Sequence, residues 1–253
     1  MKLGLFSNNE PFYKNEAKKI INVLKKNNIK FGICSKIKKV RYDIIIVIGG
    51  DGTVFRAVKE YPDAALLSIK RLKIPFSAAL EKIKKREYRI EKVARIEVSY
   101  GGIKRWGIND ISVLRDDESA SRFRIFINGR DAFGDELIGD GIIVATAYGS
   151  TGYNWTAGGV ALKENEKKLV VKPVCSAYFN KTCFIKNRKV MKRVEKSKIV
   201  TDNKEIIIKF LRSSKNKIVP DGRKEERIYA DIKAGDKILI RKSKENSKFV
   251  KIL

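Results

Sequence analysis

The chain has 253 residues, 43% of them hydrophobic, with 56 Lys and Arg against 29 Asp and Glu and a formal net charge of +27. That is enough apolar material for one or two packed domains and too much for a disordered chain. There is no histidine, and the three cysteines, Cys34, Cys175 and Cys183, form no C-x-x-C pair, which excludes a Ser-His-Asp or Cys-His nucleophile and argues against a disulfide framework or a zinc site.

The first elements alternate between strands and helices. Residues 2–6 (KLGLF) read as a strand, and Ala17, Ile20, Ile21 and Leu24 fall at helical spacing within 14–27. Strands are expected at about 31–34 and 43–48, a helix from Thr53, a strand over 64–69 and a helix over 77–85. Such alternation points to a parallel sheet covered on both faces. Near residue 88 the texture changes to short alternating runs broken by turn residues, among them SRFRIFING, GIIVATAY, KKLVVKPV and KILIRK, which read as an all-β sandwich or barrel. The expected fold is therefore an α/β domain over 1–97 and an all-β domain of sandwich or barrel type over 98–236. The apolar end FVKIL lies in a tail, 237–253, expected to dock back on one of the two domains.

The longest apolar runs, such as Ile44–Ile48, are far too short to span a membrane, and MKLGLFSNN has no signal-peptide core. A cytoplasmic protein with no membrane partner is expected. The positive charge attracts polyanions, but the lysines run from Lys2 to Lys251 with no single basic helix, so specific nucleic-acid binding is not expected.

Two glycine clusters carry the chemistry. In the first, IIIVI runs into Gly49, Gly50, Asp51, Gly52 and Thr53. Glycines at the end of a buried strand let backbone N–H groups approach an anion, and a following helix turns its positive end toward it. A carboxylate there repels phosphate, which makes sense if Asp51 accepts a hydroxyl proton or helps hold a divalent cation between phosphates. The plainer alternative is a tight strand-to-helix turn with Asp51 as N-cap. The second cluster, GDGIIVATAYGSTGYNWTAGG over 139–159, starts at Asp140-Gly141 and supplies hydroxyls at Ser150, Thr151 and Tyr153. A sandwich strand with a decorated hairpin is its plainer alternative.

Taken in order, Gly49–Thr53, Asn109-Asp110, Asp140-Gly141, Gly149–Asn154 and Asp221-Gly222-Arg223 resemble the pattern of the NAD kinase family. The first element is shared with lipid kinases and phosphofructokinases, whereas the Asp140–Gly159 segment is far more specific. The resemblance implies a Rossmann-like first domain, a β-sandwich second domain, a homodimer or homotetramer, and transfer of the terminal phosphoryl group of ATP, or of polyphosphate as an alternative donor, to the 2′-hydroxyl of the adenosine ribose of NAD. It also implies that the tail, 237–253, packs back on the first domain, and it makes Asp51 the catalytic carboxylate, also in contact with NAD. Gly52, Asn109, Asp110, Asp140, Thr151 and Tyr153 then bind NAD, with Asn109 and Asp110 on the adenosine portion and Asp140 near the nicotinamide end. Gly49, Gly50, Gly52, Thr53 and Arg223 are the implied phosphate contacts. Mg2+ or another divalent cation arrives with ATP, and no resident metal site is implied.

The chain departs from the family pattern at several places. Asp110 stands where a Glu is usual, Ala147-Tyr148 where Pro-Thr is usual, Gly152 where Ala is common and Ile138 where a basic residue is often found. SIKRLKIPFSAAL (68–80) replaces the family's Gly-Ile-Asn…Gly-Phe-Leu loop. A lipid or other small-molecule kinase would share the first cluster and lack Gly149–Asn154. A basic nucleic-acid-binding β protein would account for the charge but not for two Asp-Gly corners.

Overall fold

The computed structural model describes residues 1–8, 10–34 and 40–253. The chain packs as two compact units, residues 1–93 with 246–253, and residues 94–245. No helix among the described residues is long and apolar enough to cross a membrane.

In the first unit β1 (Leu3–Ser7) leads to α1 (Pro11–Lys26) and β2 (Phe31–Ile33), then β3 (Ile44–Ile48) to α2 (Asp51–Glu60), β4 (Ala65–Ser68) and α3 (Phe76–Lys84). The four strands run parallel in the order β2-β1-β3-β4. Helix α1 begins at Pro11, whose missing N–H costs nothing at a first helical position. It buries Ala17, Ile20 and Leu24 on one stripe. Every residue of β3 is buried, as expected for a central parallel strand with both faces covered.

The second unit begins within β5 (Tyr88–Tyr100) and continues through β6 (Ile103–Gly107), β7 (Asp110–Arg115), β8 (Ser121–Ile127), β9 (Arg130–Asp131), β10 (Leu137–Gly139) and β11 (Gly141–Thr146). After the short helix α4 (Tyr153–Thr156) come β12 (Lys168–Val174), β13 (Ala177–Ile185), β14 (Arg188–Arg193), β15 (Lys198–Thr201), β16 (Ile206–Phe210), β17 (Ser214–Pro220), β18 (Ile228–Ile232) and β19 (Lys237–Ile252). One antiparallel sheet runs β15-β12-β11-β7-β17-β18. The other contains β14-β13-β10-β8-β16-β19. Strict alternation aims one face of each inward: Phe123, Ile125, Ile206 and Ile208 from one sheet meet Val113, Val144, Val171 and Ile218 from the other in a single core. That is a sandwich-like arrangement.

The tail expected over 237–253 divides. Residues Lys237–Ile240 pair with β16 in the second unit, while Lys248 and Phe249 pair parallel with Ala65 and Leu66 of β4 in the first. One 16-residue strand thus serves both units, so hydrophobic pattern alone cannot show where it changes partners. The helix expected from Thr53 begins at Asp51 because Gly50 already occupies the cap.

Candidate active site

The first glycine corner is built by close packing. Strand β3 ends at Ile48, and Gly49 follows at φ +154°. A Cβ on Gly49 would stand 2.3 Å from Thr53 Oγ1, so only glycine lets α2 start this close to the strand. Gly50 is the N-cap, with no side-chain capping bond, and Asp51 is the first helical residue. Asp51 is therefore not the cap that the plainer sequence alternative made it. Thr53 is buried, and its N–H donates to the Gly50 carbonyl at 3.0 Å. Nothing lies within 4 Å of a Cβ placed on Gly52, so protein packing does not require glycine there. Asp51 pairs with Lys70 at 3.5 Å, both side chains about half exposed at 45% and 58%. Lys70 comes from the stretch that replaces the family loop, in a short 3-10 turn, Ile69–Arg71.

In the second unit Asn109 and Asp110 stand at the start of β7, against the end of β11 and the turn after it. Thr146 Oγ1 donates to the Ile108 carbonyl at 2.6 Å, its N–H to the Asn109 carbonyl at 2.8 Å, and its hydroxyl oxygen accepts the Gly149 N–H at 3.1 Å. A Cβ on Gly149 would lie 2.3 Å from both the Cα and the carbonyl oxygen of Asn109. Glycine is obligatory where these two backbones touch. The Asn109 Oδ1 is buried without a hydrogen-bond partner among the described residues.

Asp110 is only 5% exposed. No donor among the described residues reaches its carboxylate. Burial, with a smaller contribution from Asp221, pushes its carboxyl up to about 7. Asp221 is different: its carboxylate accepts backbone N–H groups from residues 108–110. That partnership joins residues more than a hundred positions apart, and no local sequence signal announces it.

The hydroxyls of the second cluster have separate fates. Ser150 is fully buried, its Oγ donating to the Ala147 carbonyl at 2.9 Å and accepting the Leu162 N–H at 2.9 Å. It is structural. Thr151 is exposed. Tyr153 is 43% exposed, and its hydroxyl is pushed up by partial burial and by Asp110, Cys175 and Asp140. The fully buried Asn154 donates to the carbonyls of Ser150 at 2.8 Å and Val160 at 3.0 Å, closing the turn. A Cβ on Gly159 would collide with Asn154 Oδ1 at 2.0 Å.

Asp140 is ion-paired with Arg115 at 2.6 Å, and Arg115 also donates to the Asp117 carbonyl at 2.7 Å. Sequence reasoning missed Arg115. Asp140, Arg115 and Tyr153 line a cavity of about 530 Å³ within this unit, together with Asp116, Asp117 and Lys217. Arg223, implied as a phosphate contact, has its guanidinium on Glu225, Nε donating at 3.0 Å, with Nη1 buried and unpartnered among the described residues.

Comparison with known proteins places the chain among its relatives. Residues 109–252 match the family model for the ATP-NAD kinase C-terminal domain. An NAD kinase of Methanothermobacter thermautotrophicus is 29% identical over 229 residues, covering 85% of this chain and 74% of that protein. An NAD kinase of Clostridium kluyveri is 37% identical over 153 residues, 54% of this chain and about half, 53%, of that one. The crystal structure of an NAD kinase from Archaeoglobus fulgidus in complex with ATP shares the fold, with a TM-score of 0.74 at 22% identity over 100% of this chain and 94% of that chain. With a family model matched over residues 109–252, more than half of its length, the chain belongs to the NAD kinase family.

Proposed function

We propose that the chain transfers the terminal phosphoryl group of ATP to the 2′-hydroxyl of the adenosine ribose of NAD, giving NADP. Its first unit is read as a Rossmann-like phosphate-binding domain and its second as the NAD-binding domain. Asp51 orients the ribose hydroxyl and takes its proton. Asn109 and Asp110 hold the adenosine portion, Thr151 and Tyr153 contact the dinucleotide, and Asp140 serves the nicotinamide end. Phosphoryl transfer asks for in-line placement and charge neutralisation more than for covalent help, so the lack of histidine is no obstacle. Among the described residues no three carboxylate, cysteine or histidine side chains gather to hold a metal. Mg2+ belongs to this reading as part of the substrate, carried on the phosphates of ATP, with Asp51 as the carboxylate nearest in kind to what such an ion accepts. A homo-oligomer belongs to the same reading.

The observation that carries the proposal is Asp110. A nearly fully buried carboxylate with no donor among the described residues is costly. The N–H and O–H groups of adenosine are the donors it lacks, and the unpartnered Asn109 Oδ1 is a neighbouring acceptor of the same kind. Those donors favour the ionised form. NAD affinity, measured by calorimetry, should therefore weaken as pH falls through about 7, the value to which burial raises the Asp110 carboxyl. The stability of the NAD-free protein should respond to this group with the opposite sign. Its folded-state value lies above the ordinary carboxylate range, so the native state holds the extra proton and gains stability as pH falls through that same window. A flat affinity profile from pH 5.5 to 8.5 contradicts the assignment.

Gly52 supplies a second test. An exposed-helix Gly→Ala change stabilises by about 0.5–1 kcal/mol when nothing obstructs the methyl group, and nothing in the protein does. Gly52→Ala should raise the melting temperature while lowering kcat/KM for ATP, because the methyl group stands where phosphate approaches the backbone. Unchanged kinetics would remove the first corner from phosphate binding.

A further inference from the structure

The Asp-Gly turn at 221–222 meets the loop of residues 108–110 through the Asp221 carboxylate. Asp221 Oδ1 accepts the N–H groups of Asn109 at 2.7 Å, Ile108 at 3.0 Å and Asp110 at 3.3 Å, and Oδ2 accepts that of Ile108 at 3.0 Å. In return the Asp221 N–H donates to the Asp110 carbonyl at 2.9 Å. A Cβ on Gly107 would stand 2.7 Å from Asp221 Oδ1, so glycine there is what lets the carboxylate reach the loop. Asp221 sits at φ +50°, a conformation that Asp and Asn tolerate better than other side chains, and Gly222 follows at φ +67°. Strand β17 delivers this turn by pairing its Pro220 with Ile111 of β7.

We propose that Asp221 is a positioning residue: its carboxylate clamps the backbone of residues 108–110, fixing the directions in which Asn109 and Asp110 meet the substrate, and stations a fixed negative charge beside Asp110. The proposal rests on the reading of Asn109 and Asp110 as NAD contacts. Three converging backbone N–H groups give the carboxylate charge-assisted hydrogen bonds, stronger than those of a neutral acceptor. The charged group acting on Asp110 is Asp221, on top of burial, and Asp110 in turn acts on the Tyr153 hydroxyl. Clamp and charge can be separated. Asn at 221 keeps a carbonyl oxygen for the loop and tolerates the positive φ, but carries no charge. Ala loses the acceptor and strains the backbone.

The test is calorimetric titration of the intact chain with NAD from pH 5.5 to 8.5, for wild type, Asp221→Asn and Asp221→Ala, with thermal unfolding alongside. Asp221→Asn should bind NAD at pH 8 about as wild type does. The pH at which its affinity falls should move down, because the like charge beside Asp110 is gone. Asp221→Ala should lose about ten-fold or more in affinity at every pH, because three backbone N–H groups, two of them buried, lose their acceptor. A midpoint unmoved in Asp221→Asn overturns the electrostatic half, and a folded Asp221→Ala with wild-type affinity overturns the clamp. Should Asp221→Ala fail to fold, Asp221→Asn alone decides. If wild type binds no NAD at any pH, the NAD reading itself fails.

Discussion

Asp51→Asn is expected to lower kcat by about 10²–10⁴-fold, the range that a positioned general base supplies, while NAD still binds. The substitution keeps the shape of the side chain and removes its basicity. Asp51 stands at the first position of α2, about half exposed, and its protein contact in this unit is the ion pair with Lys70 at 3.5 Å. Such an exposed pair contributes little to stability. The helix loses a favourable charge at its positive end, a few tenths of a kcal/mol. Unfolding should therefore be nearly unchanged, and a fall in kcat reports chemistry. Full turnover in a folded Asp51→Asn variant removes Asp51 from the mechanism.

Gly149→Ala should abolish measurable NAD binding and lower the stability of the second unit by about 1–3 kcal/mol, the usual cost of forcing an extra group into close packing. The new methyl group would stand 2.3 Å from the Asn109 Cα and carbonyl oxygen. Both are backbone atoms, so no side chain can rotate out of the way. The Asn109 segment cannot yield without breaking its bonds to Thr146 and Asp221. The turn cannot yield without losing the Ser150 and Asn154 bonds that close it. Tight NAD binding in Gly149→Ala would show that the contact between these two backbones does not shape the site.

How much of this could be read from the amino acids depends on the range of the interactions. Strand β3 and its glycine corner were legible because five consecutive apolar residues followed by Gly-Gly-Asp-Gly is a local pattern with a local cause. The sandwich was legible from alternation, as in β8, where Ser121, Phe123 and Ile125 are buried at every second residue. Within the second cluster the sequence shows the hydroxyls but not the division of labour among them. Ser150 and Thr151 are adjacent hydroxyls, one consumed inside the turn and the other exposed. Arg115 was missed because its partner Asp140 lies at the corner just before the neighbouring strand β11, 25 residues away. The Asp221 carboxylate reaches Asn109 across 112 residues. Pairings of that kind come from sheet order, which periodicity does not encode.

Reaction of the purified chain with NAD, ATP and Mg2+ reaches the central claim most directly, with the product read by a dehydrogenase that accepts only NADP. NADP should accumulate in step with ADP, and the Asp51→Asn protein should form almost none. Consumption of ATP without NADP, or no reaction from wild-type protein that binds both substrates, would contradict it.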